Sequence, residues 1–197
     1  MNNYVITISR EYASGGRLIG KEVAEKLGIE YYDKTVTELV SQQSGLSEQF
    51  IDNAETNARS SLLFGMSLAS VAPLQDSVFL TQARTIRNLA EKGPCVFVGR
   101  CADYILHDYE NLLSVFIYAP LLSRIKRAKE LYGLTGGNIK SQVLKKDKAR
   151  NVYHSLYSDN DWGDPHSYDL CLNSEIGIEA AARIIIAALN EKLSHKQ

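Results

Sequence analysis

Small residues and one arginine stand between an apolar run and an amphipathic segment near the start of the chain. The string Ser14-Gly-Gly-Arg17 follows Tyr4–Ile8, a run rich in β-branched residues that is typical of a buried strand. Behind it, Ile19, Val23 and Leu27 recur at every fourth position, which indicates one face of a helix. In a strand–loop–helix unit, backbone N–H groups and the positive end of the helix converge on a phosphate. The sequence therefore indicates phosphate binding at this loop.

The loop departs from the common phosphate-binding string G-x-x-x-x-G-K-[ST] at three positions. Counting back from Gly16, Glu11 stands in place of the first glycine, Arg17 replaces the lysine, and Leu18 replaces the hydroxyl residue that contacts magnesium. Arginine binds phosphate as a planar fork rather than as a point charge, and a leucine side chain offers no ligand to a metal. A plain glycine turn between a strand and a helix is the alternative interpretation of this loop.

Charged residues also follow two other predicted strands, at the edge where open α/β sheets place their ligands. Asp33 lies just past a short strand candidate, and Arg100 and Asp103 follow the nearly all-apolar run Cys95-Val-Phe-Val-Gly99. Arginine suits a phosphate or a base carbonyl, and aspartate suits a donor on a sugar or base. Each residue alone could be a surface charge or a helix cap. Three of them beside a glycine loop favour a substrate site.

A basic segment extends from Arg124 to Arg150, where lysines and arginines far outnumber Glu130 and Asp147. Arg124 and Arg127 are three residues apart, so they are neighbours on one helical face, and Asp147 is close enough to hold Arg150. Two cationic helices joined by glycines suit a lid over a triphosphate, which could stabilise charge on a transferring phosphoryl group. A solvated basic face and an RNA-binding patch are the alternatives.

The segment 151–168 mixes tyrosines and one tryptophan with aspartates and histidines. We expect a packed aromatic plug that fixes the preceding helix to the sheet, with an aromatic ring beside a bound base as the alternative. His154 and His166 lack the spacing and partners of a metal site, so we assign no metal ligands. A helix is predicted over 76–92. The segment 57–74 shows little periodicity and is interrupted by Pro73, and we interpret it as a helical arm that could cover a substrate or another subunit.

The alternation of buried strands and amphipathic helices predicts an α/β fold with a mostly parallel sheet. With 197 residues, of which 45% are hydrophobic, the chain can form one domain, and its net charge of −1 argues against a general nucleic-acid-coating protein. The cysteines are odd in number and lack the spacing of metal ligands, which indicates reduced thiols. We also find no long apolar span and no signal peptide in the sequence, so we expect a cytoplasmic protein without a membrane partner. The apolar stretch Leu62–Val71 would suit a homodimer contact.

In combination, these motifs resemble the cytidylate kinase-like family, a branch related to bacterial cytidylate kinases within the P-loop nucleoside monophosphate kinases. The resemblance extends from about Tyr4 to about Leu189. The matching strings are Thr7-Ile-Ser-Arg-Glu-Tyr, Ser14-Gly-Gly-Arg17, Tyr32-Asp33, Val98-Gly-Arg100 followed by Ala-Asp-Tyr-Ile-Leu106, Lys146-Asp-Lys-Ala-Arg150, Asp161-Trp-Gly-Asp164 and Tyr168-Asp-Leu-Cys-Leu-Asn173.

The resemblance implies a five-stranded parallel sheet flanked by helices in one domain (1–197), with a helical substrate-binding region near 34–92 and a lid near 121–160. It also implies transfer of the γ-phosphoryl group of ATP to a nucleoside monophosphate, CMP or dCMP, with Mg²⁺. Glu11 or a shell of water would anchor the metal. Nucleotides are then the expected partners.

Residue patterns and resemblance together give three groups of site residues. The predicted cofactor-binding residues are Ser14, Gly15, Gly16, Arg17 and Leu18. The predicted substrate-binding residues are Asp33, Arg100 and Asp103. The predicted catalytic residues are Arg17, Arg124, Arg127, Asp147 and Arg150.

Two other functions are compatible with the sequence. A nucleotide-binding regulator that has lost catalysis would account for Glu11, Arg17 and Leu18. A kinase of another small acceptor is the second alternative, because no residue reads cytosine uniquely.

Overall fold

A five-stranded parallel sheet in the order β2-β3-β1-β4-β5 forms the centre of the computed structural model, which describes residues 3–56 and 68–195. The strands are β1 (Val5–Arg10), β2 (Glu30–Tyr32), β3 (Cys95–Val98), β4 (Leu112–Tyr118) and β5 (Leu170–Asn173). The helices among the described residues are α1 (Gly16–Leu27), α2 (Lys34–Ser44), α3 (Glu48–Thr56), α4 (Leu68–Glu91), α5 (Ala102–Ile105), α6 (Leu121–Glu130), α7 (Ile139–Tyr157) and α8 (Ile178–Ser194).

Strand β1 lies in the middle of the sheet, and its residues are buried on both faces. Val5 pairs in register with Cys95 of β3 on one side and with Leu112 of β4 on the other. The side chains of Val5, Ile6 and Ile8 are fully buried. Val5 packs on one face of the sheet with residues of α2, α4 and α5, and Ile6 and Ile8 pack on the other face with residues of α1 and α8. Helices therefore cover both faces of the sheet, which is the arrangement expected for a fully parallel sheet. The predicted fold class is confirmed.

Glycine and short polar side chains mark several helix ends. Gly28 ends α1 in the left-handed conformation (φ +64°), and its N–H bonds back to the last turn. Ser47 caps α3, since its Oγ accepts a hydrogen bond of 3.2 Å from the N–H of Phe50. Asn138 caps α7 in the same way, with its Oδ1 3.1 Å from the N of Ser141.

Helix α4 is longer than the sequence predicts. It begins at Leu68 and contains Pro73, which we expected to interrupt the segment. A proline in the second turn removes one backbone hydrogen bond, and the later turns of this helix bury Val78 and Ile86 in the core. The predicted dimer contact Leu62–Val71 lies outside the residues whose side chains the structure describes.

The cysteines are free thiols, two of them in the core. Cys95 and Cys101 are buried, and Cys171 is partly buried. Burial raises the pKa of Cys95 to about 12, so this thiol is protonated and unreactive near neutral pH. Within the described ranges, every helix is too short or too polar to cross a lipid bilayer.

Candidate active site

A pocket of about 470 Å³ opens at the carboxyl ends of β1, β2 and β3. This is the edge at which open α/β sheets bind their ligands. Cationic side chains dominate its charged lining: Arg10, Arg17, Lys34, Arg100, Lys146 and Arg150, against the carboxylates of Glu11, Asp33 and Asp52. A cleft lined by an excess of one charge concentrates the field inside it. The pocket is therefore suited to a ligand with several negative charges.

The loop between β1 and α1 presents the start of a helix to this pocket. Gly15 precedes α1 in a left-handed conformation (φ +93°), and no side chain of the described residues caps the first turn. The first N–H groups of α1 consequently lack intrahelical acceptors and carry the positive end of the helix dipole. Gly15, Gly16 and Arg17 all line the pocket, as predicted for a phosphate loop.

Arginines from α6 and α7 hold the carbonyl groups of this loop. Three hydrogen bonds connect their guanidinium groups to backbone carbonyls of the loop, and they link the loop to the two helices. The pairs are Arg150 with the carbonyl of Arg10 (3.1 Å), Arg124 with that of Tyr12 (3.4 Å) and Arg127 with that of Ala13 (2.7 Å).

Arg124 is the buried centre of this connection. Its side chain is 5% exposed, and its Nε lies 3.3 Å from Oε2 of Glu11, which also accepts from the N–H of Ala119. The other arm lies 2.5 Å from Oδ2 of Asp147, whose Oδ1 accepts from the N–H of Tyr12 at 2.6 Å. Burial raises the pKa of Glu11, and the Ala119 N–H and Arg124 offset part of that increase. Arg124 and Asp147, which we predicted to be catalytic, are thus engaged with the loop and with each other, and neither is among the residues that line the pocket.

Arg127 and Ser14, two further predicted site residues, contact the loop backbone. Arg127 is engaged by the Ala13 carbonyl and lies against the outer side of Gly15. The hydroxyl of Ser14 is buried and donates to the carbonyl of Glu11 at 2.9 Å, which closes the turn. Among the described residues, the pocket lining includes neither Ser14 nor Leu18 nor Arg127.

Arg17 forms an ion pair across the pocket with Asp33. Its Nε lies 2.5 Å from Oδ2 of Asp33, which is the residue before α2 and is almost buried, whereas Arg17 is about half exposed. Burial lowers the pKa of Arg17, but Asp33 and the Tyr31 hydroxyl outweigh this and raise it. The structure therefore brings these two predicted site residues together and keeps the guanidinium fully charged.

Arg100 lies on a strained turn after β3. Gly99, Arg100 and Cys101 all have positive φ angles, of +76°, +63° and +53°. Such conformations cost roughly 1–3 kcal/mol for a residue with a side chain and are concentrated at functional sites. The turn is held by Gln82 of α4, whose buried amide donates to the carbonyl of Arg100 at 2.9 Å. The Arg100 guanidinium itself lies 2.6 Å from Oδ1 of Asp52 on α3.

Asp103 lies away from the pocket, contrary to the prediction. It is in the first turn of α5, and its Oδ2 is 3.0 Å from Nε2 of His154 on α7. Both side chains are at most one-tenth exposed. The left-handed turn at Arg100 and Cys101 redirects the chain, so that Arg100 faces the pocket and Asp103 packs against α7. We therefore remove Asp103 from the candidate substrate-binding residues.

The aromatic segment after Arg150 packs as a plug, as expected. The rings of Tyr157 and Phe79 stack with centroids 3.7 Å apart, which joins α7 to α4. Tyr153 is buried beside Tyr157. Trp162 packs edge-on against Phe116 of β4, with the ring centroids 5.3 Å apart. The plug connects α7 to the helical layer and the following segment to the sheet.

Sequence reasoning missed several residues of the pocket. Tyr12 and Tyr132 lie together with ring centroids 5.9 Å apart, and the amino group of Lys146 is 4.9 Å from the centre of the Tyr12 ring. Asp52 was missed because only the tertiary fold brings α3 to Arg100. Arg10 was missed although it follows the same rule as Asp33, since it lies at the carboxyl end of a strand.

The donor groups do not fit a preformed magnesium cage. Within the described ranges, His, Cys, Asp and Glu side chains form no cluster of three that could hold a metal ion. Glu11 and Asp33 are two of the three carboxylates that line the pocket, and each faces an arginine. Mg²⁺ commonly binds through nucleotide phosphates, retained water and one or two carboxylates. The site is compatible with a metal that arrives with its nucleotide, with Glu11 as the candidate carboxylate.

Several solved structures have a similar fold. The chain is similar to a structure described as an uncharacterized protein from Eubacterium ventriosum ATCC 27560, with 29% identity, coverage of 95% of this chain and 98% of that one, and a TM-score of 0.70. It is also similar in fold to shikimate kinase from Bacteroides thetaiotaomicron (11% identity, 96% and 99% coverage, TM-score 0.61) and to deoxyadenosine kinase from M. mycoides (13%, 95% and 99%, 0.53). The fold is that of the P-loop kinases.

The family is narrower than this class. The sequence profile described as the cytidylate kinase-like family matches residues 5–176, which is most of the chain. The chain belongs to the cytidylate kinase-like family. A search of the curated proteins found no match.

Proposed function

We propose that the protein is an ATP-dependent nucleoside monophosphate kinase, with CMP or dCMP as the acceptor. One observation carries the proposal: six cationic side chains line a pocket that also contains the uncapped N-terminus of α1. A triphosphate and a monophosphate together bring a large negative charge into one cleft, and such a cleft has to compensate it. The family membership favours the same reaction.

The pocket divides into a donor side and an acceptor side. Gly15, Gly16 and Arg17 form the donor side, where backbone N–H groups and one guanidinium would bind the outer phosphates of ATP. Arg100 and Lys34 form the acceptor side, at the ends of β3 and β2. Arg100 would bind the phosphate of the monophosphate after releasing Asp52. Lys146 and Arg150 enter from α7, the predicted lid.

The reaction needs little covalent chemistry from the protein. The bond between the γ-phosphorus and the β-phosphate oxygen breaks, and a new bond forms between that phosphorus and an oxygen of the acceptor phosphate. Because a phosphate dianion is the nucleophile, no side chain has to remove a proton. Bound Mg²⁺ would neutralise part of the phosphate charge. The protein's own contribution is to orient the two nucleotides and supply positive charge.

A coupled ADP-release assay tests the proposal directly. We expect turnover with ATP, Mg²⁺ and CMP or dCMP that exceeds turnover with AMP, GMP or UMP, and loss of turnover with EDTA. ATP binding without release of ADP for any nucleoside monophosphate would contradict the kinase proposal. That result would support the nucleotide-binding regulator instead.

A kinase of a non-nucleotide alcohol is the second candidate, and a specific observation favours it. Asp33 and Asp52 place two carboxylates beside the acceptor side, where they could accept hydrogen bonds from acceptor hydroxyls. Structures with this fold include a shikimate kinase and a gluconokinase from Sinorhizobium meliloti 1021. Turnover with a polyhydroxy acid and none with CMP would select this candidate.

A further inference from the structure

Arg10 lines the pocket, and its side chain extends from Gly16 to Gly99. It is the last residue of β1. A Cβ atom on Gly16, the first residue of α1, would lie 2.7 Å from the Cβ and 3.1 Å from the Cγ of Arg10. A Cβ atom on Gly99, after β3, would overlap the guanidinium group and lie 2.6 Å from its Cζ. The stem of Arg10 therefore passes the start of α1, and its guanidinium rests against the turn that carries Arg100.

This course places the guanidinium on the boundary between the two sides of the pocket. Gly16 belongs to the donor side, and the turn at Gly99 leads directly into Arg100 on the acceptor side. The group that moves in a phosphoryl transfer has to pass between a donor oxygen and an acceptor oxygen. A cation at that boundary can contact the equatorial oxygens of the moving group.

The electrostatic situation of Arg10 differs from that of the other pocket arginines. Arg17 is paired with Asp33, Arg100 with Asp52, and Arg150 donates to a loop carbonyl. The guanidinium of Arg10 makes no hydrogen bond or ion pair with any residue of the part of the chain that the structure describes. Its N–H donors are thus available to a ligand without displacing a protein group.

We propose that Arg10 is a catalytic residue that binds the transferring phosphoryl group and supplies the positive charge that a lysine gives in the usual phosphate loop. This inference rests on the proposed phosphotransferase function. Arg10 forms no covalent bond during the step. The γ-phosphorus leaves the β-phosphate oxygen and joins the acceptor oxygen, while the guanidinium N–H groups stay directed at the equatorial oxygens.

Arg10→Met removes the charge and keeps most of the stem that packs against Gly16. We expect kcat to fall about a thousandfold, the lower end of the effect of a transition-state arginine, with a smaller change in the affinity for ADP. Arg10→Lys should recover part of kcat. Arg183→Met is the matched control, because Arg183 lies on α8 in an exposed pair with Glu179 and should leave kcat unchanged.

Glycine variants test the geometry separately from the charge. Gly99→Ala would force the guanidinium of Arg10 from its place, so we expect a loss of kcat similar to that of Arg10→Met. Gly45→Ala has nearly the same backbone penalty, at φ +71°, but nothing lies within 4 Å of the added methyl group, so activity should persist. In an Arg10→Met background, Gly99→Ala should add little, which is the non-additivity expected of two changes that act on one group.

A binding experiment separates this inference from the proposed acceptor. Isothermal titration would compare ADP alone with ADP plus aluminium fluoride, which occupies the position of the transferring group. We expect the wild-type protein to bind ADP plus aluminium fluoride more tightly than ADP alone. Arg10→Met should bind the two equally tightly, even if CMP proves to be the wrong acceptor. Unchanged discrimination in Arg10→Met, or full kcat in Gly99→Ala, would overturn the role of Arg10. Thermal melts of each variant would exclude unfolding as the cause.

Discussion

The guanidinium of Arg124 is buried between two carboxylates, 2.5 Å from Asp147 and 3.3 Å from Glu11. Glu11 belongs to the phosphate loop, Asp147 to α7, and Arg124 itself to α6. One buried charge cluster thus connects the loop to both helices of the predicted lid. Because Asp147 also accepts the N–H of Tyr12, a change in the position of α7 would be transmitted to the backbone of the loop.

Arg124→Met should destabilise the fold more than it affects nucleotide contacts. It leaves two carboxylates near one another without their cation, and removal of one partner of a buried ion pair costs about 3–5 kcal/mol. We expect a loss of roughly 3 kcal/mol in the free energy of unfolding, measured with urea. Lys126→Met on the same helix is the control, because Lys126 is exposed. Equal stability of the two variants would contradict the central position of Arg124.

Arg17 and Arg150 should have different effects on binding and transfer. Arg17→Ala removes a guanidinium at the start of α1 and leaves Asp33 without its 2.5 Å partner, so we expect ATP affinity to fall about tenfold. Arg150→Ala removes a cation supplied by α7, so it should slow transfer with little effect on affinity. Titration calorimetry and single-turnover kinetics would measure the two effects. Equal losses of ATP affinity would contradict this division, and Arg183→Ala controls for loss of an exposed arginine.

The fold could be predicted because its determinants are local. Apolar runs such as Cys95–Val98 identify strands covered on both faces, and Gly28 and Ser47 mark helix ends by their own conformational and hydrogen-bonding properties. Pro73 by itself predicts a break in the helix, whereas α4 continues through this residue because its later turns pack in the core. Tertiary burial overrides a single unfavourable residue when the rest of the helix contributes enough contact.

The site was only partly predictable because charge patterns do not reveal which partners a side chain will meet. Gly15, Gly16 and Arg17 were identified by their position between a strand and a helix. Arg124 was predicted to be a lid cation, but it pairs with Asp147, a partly buried carboxylate 23 residues away along the chain. Asp103 was placed with Arg100 by proximity in sequence. Arg100 and Cys101 are both in the left-handed conformation, which no simple sequence pattern predicts, and this turn separates Arg100 from Asp103 in space.

Asp169 should make the stability of the protein depend on pH. Its Oδ2 accepts from the N–H of Ser114 (2.8 Å) and from Lys192 (2.7 Å), which ties the start of β5 to β4 and α8. Burial raises the pKa of Asp169, but the bonds from Lys192 and Ser114 outweigh it and lower the pKa overall. The lowered pKa means that this stabilisation is complete above the unfolded value of about 4 and is lost as the pH falls through the folded value.

Asp169→Asn should therefore cost stability at pH 7 and very little in strong acid. The carboxylate is 36% exposed, so solvent screening limits the expected difference at pH 7 to about 1 kcal/mol. Urea unfolding at pH 7, 5 and 3 would measure it, with the exposed Asp159→Asn as the control. A difference from wild type that is the same at all three pH values would show that Asp169 stabilises the fold by packing alone.

Asp52 offers a test of the acceptor. Its Oδ1 lies 2.6 Å from the guanidinium of Arg100, and its side chain is more than half exposed, so it occupies the place that an acceptor phosphate would take. For a phosphate acceptor, Asp52→Asn removes a competitor, and the KM for CMP should fall about threefold, the scale of an exposed ion pair. The KM for ATP should not change.

The opposite result would identify a different chemistry. An acceptor that donates a hydroxyl hydrogen bond to Asp52 would lose it in Asp52→Asn, and the KM for that acceptor would rise. Glu38→Gln is the matched control, since Glu38 is an exposed carboxylate on the adjacent helix α2. Because the two acceptor classes shift KM in opposite directions, the sign of one measurement distinguishes a phosphate bound to Arg100 from an alcohol bound to Asp52.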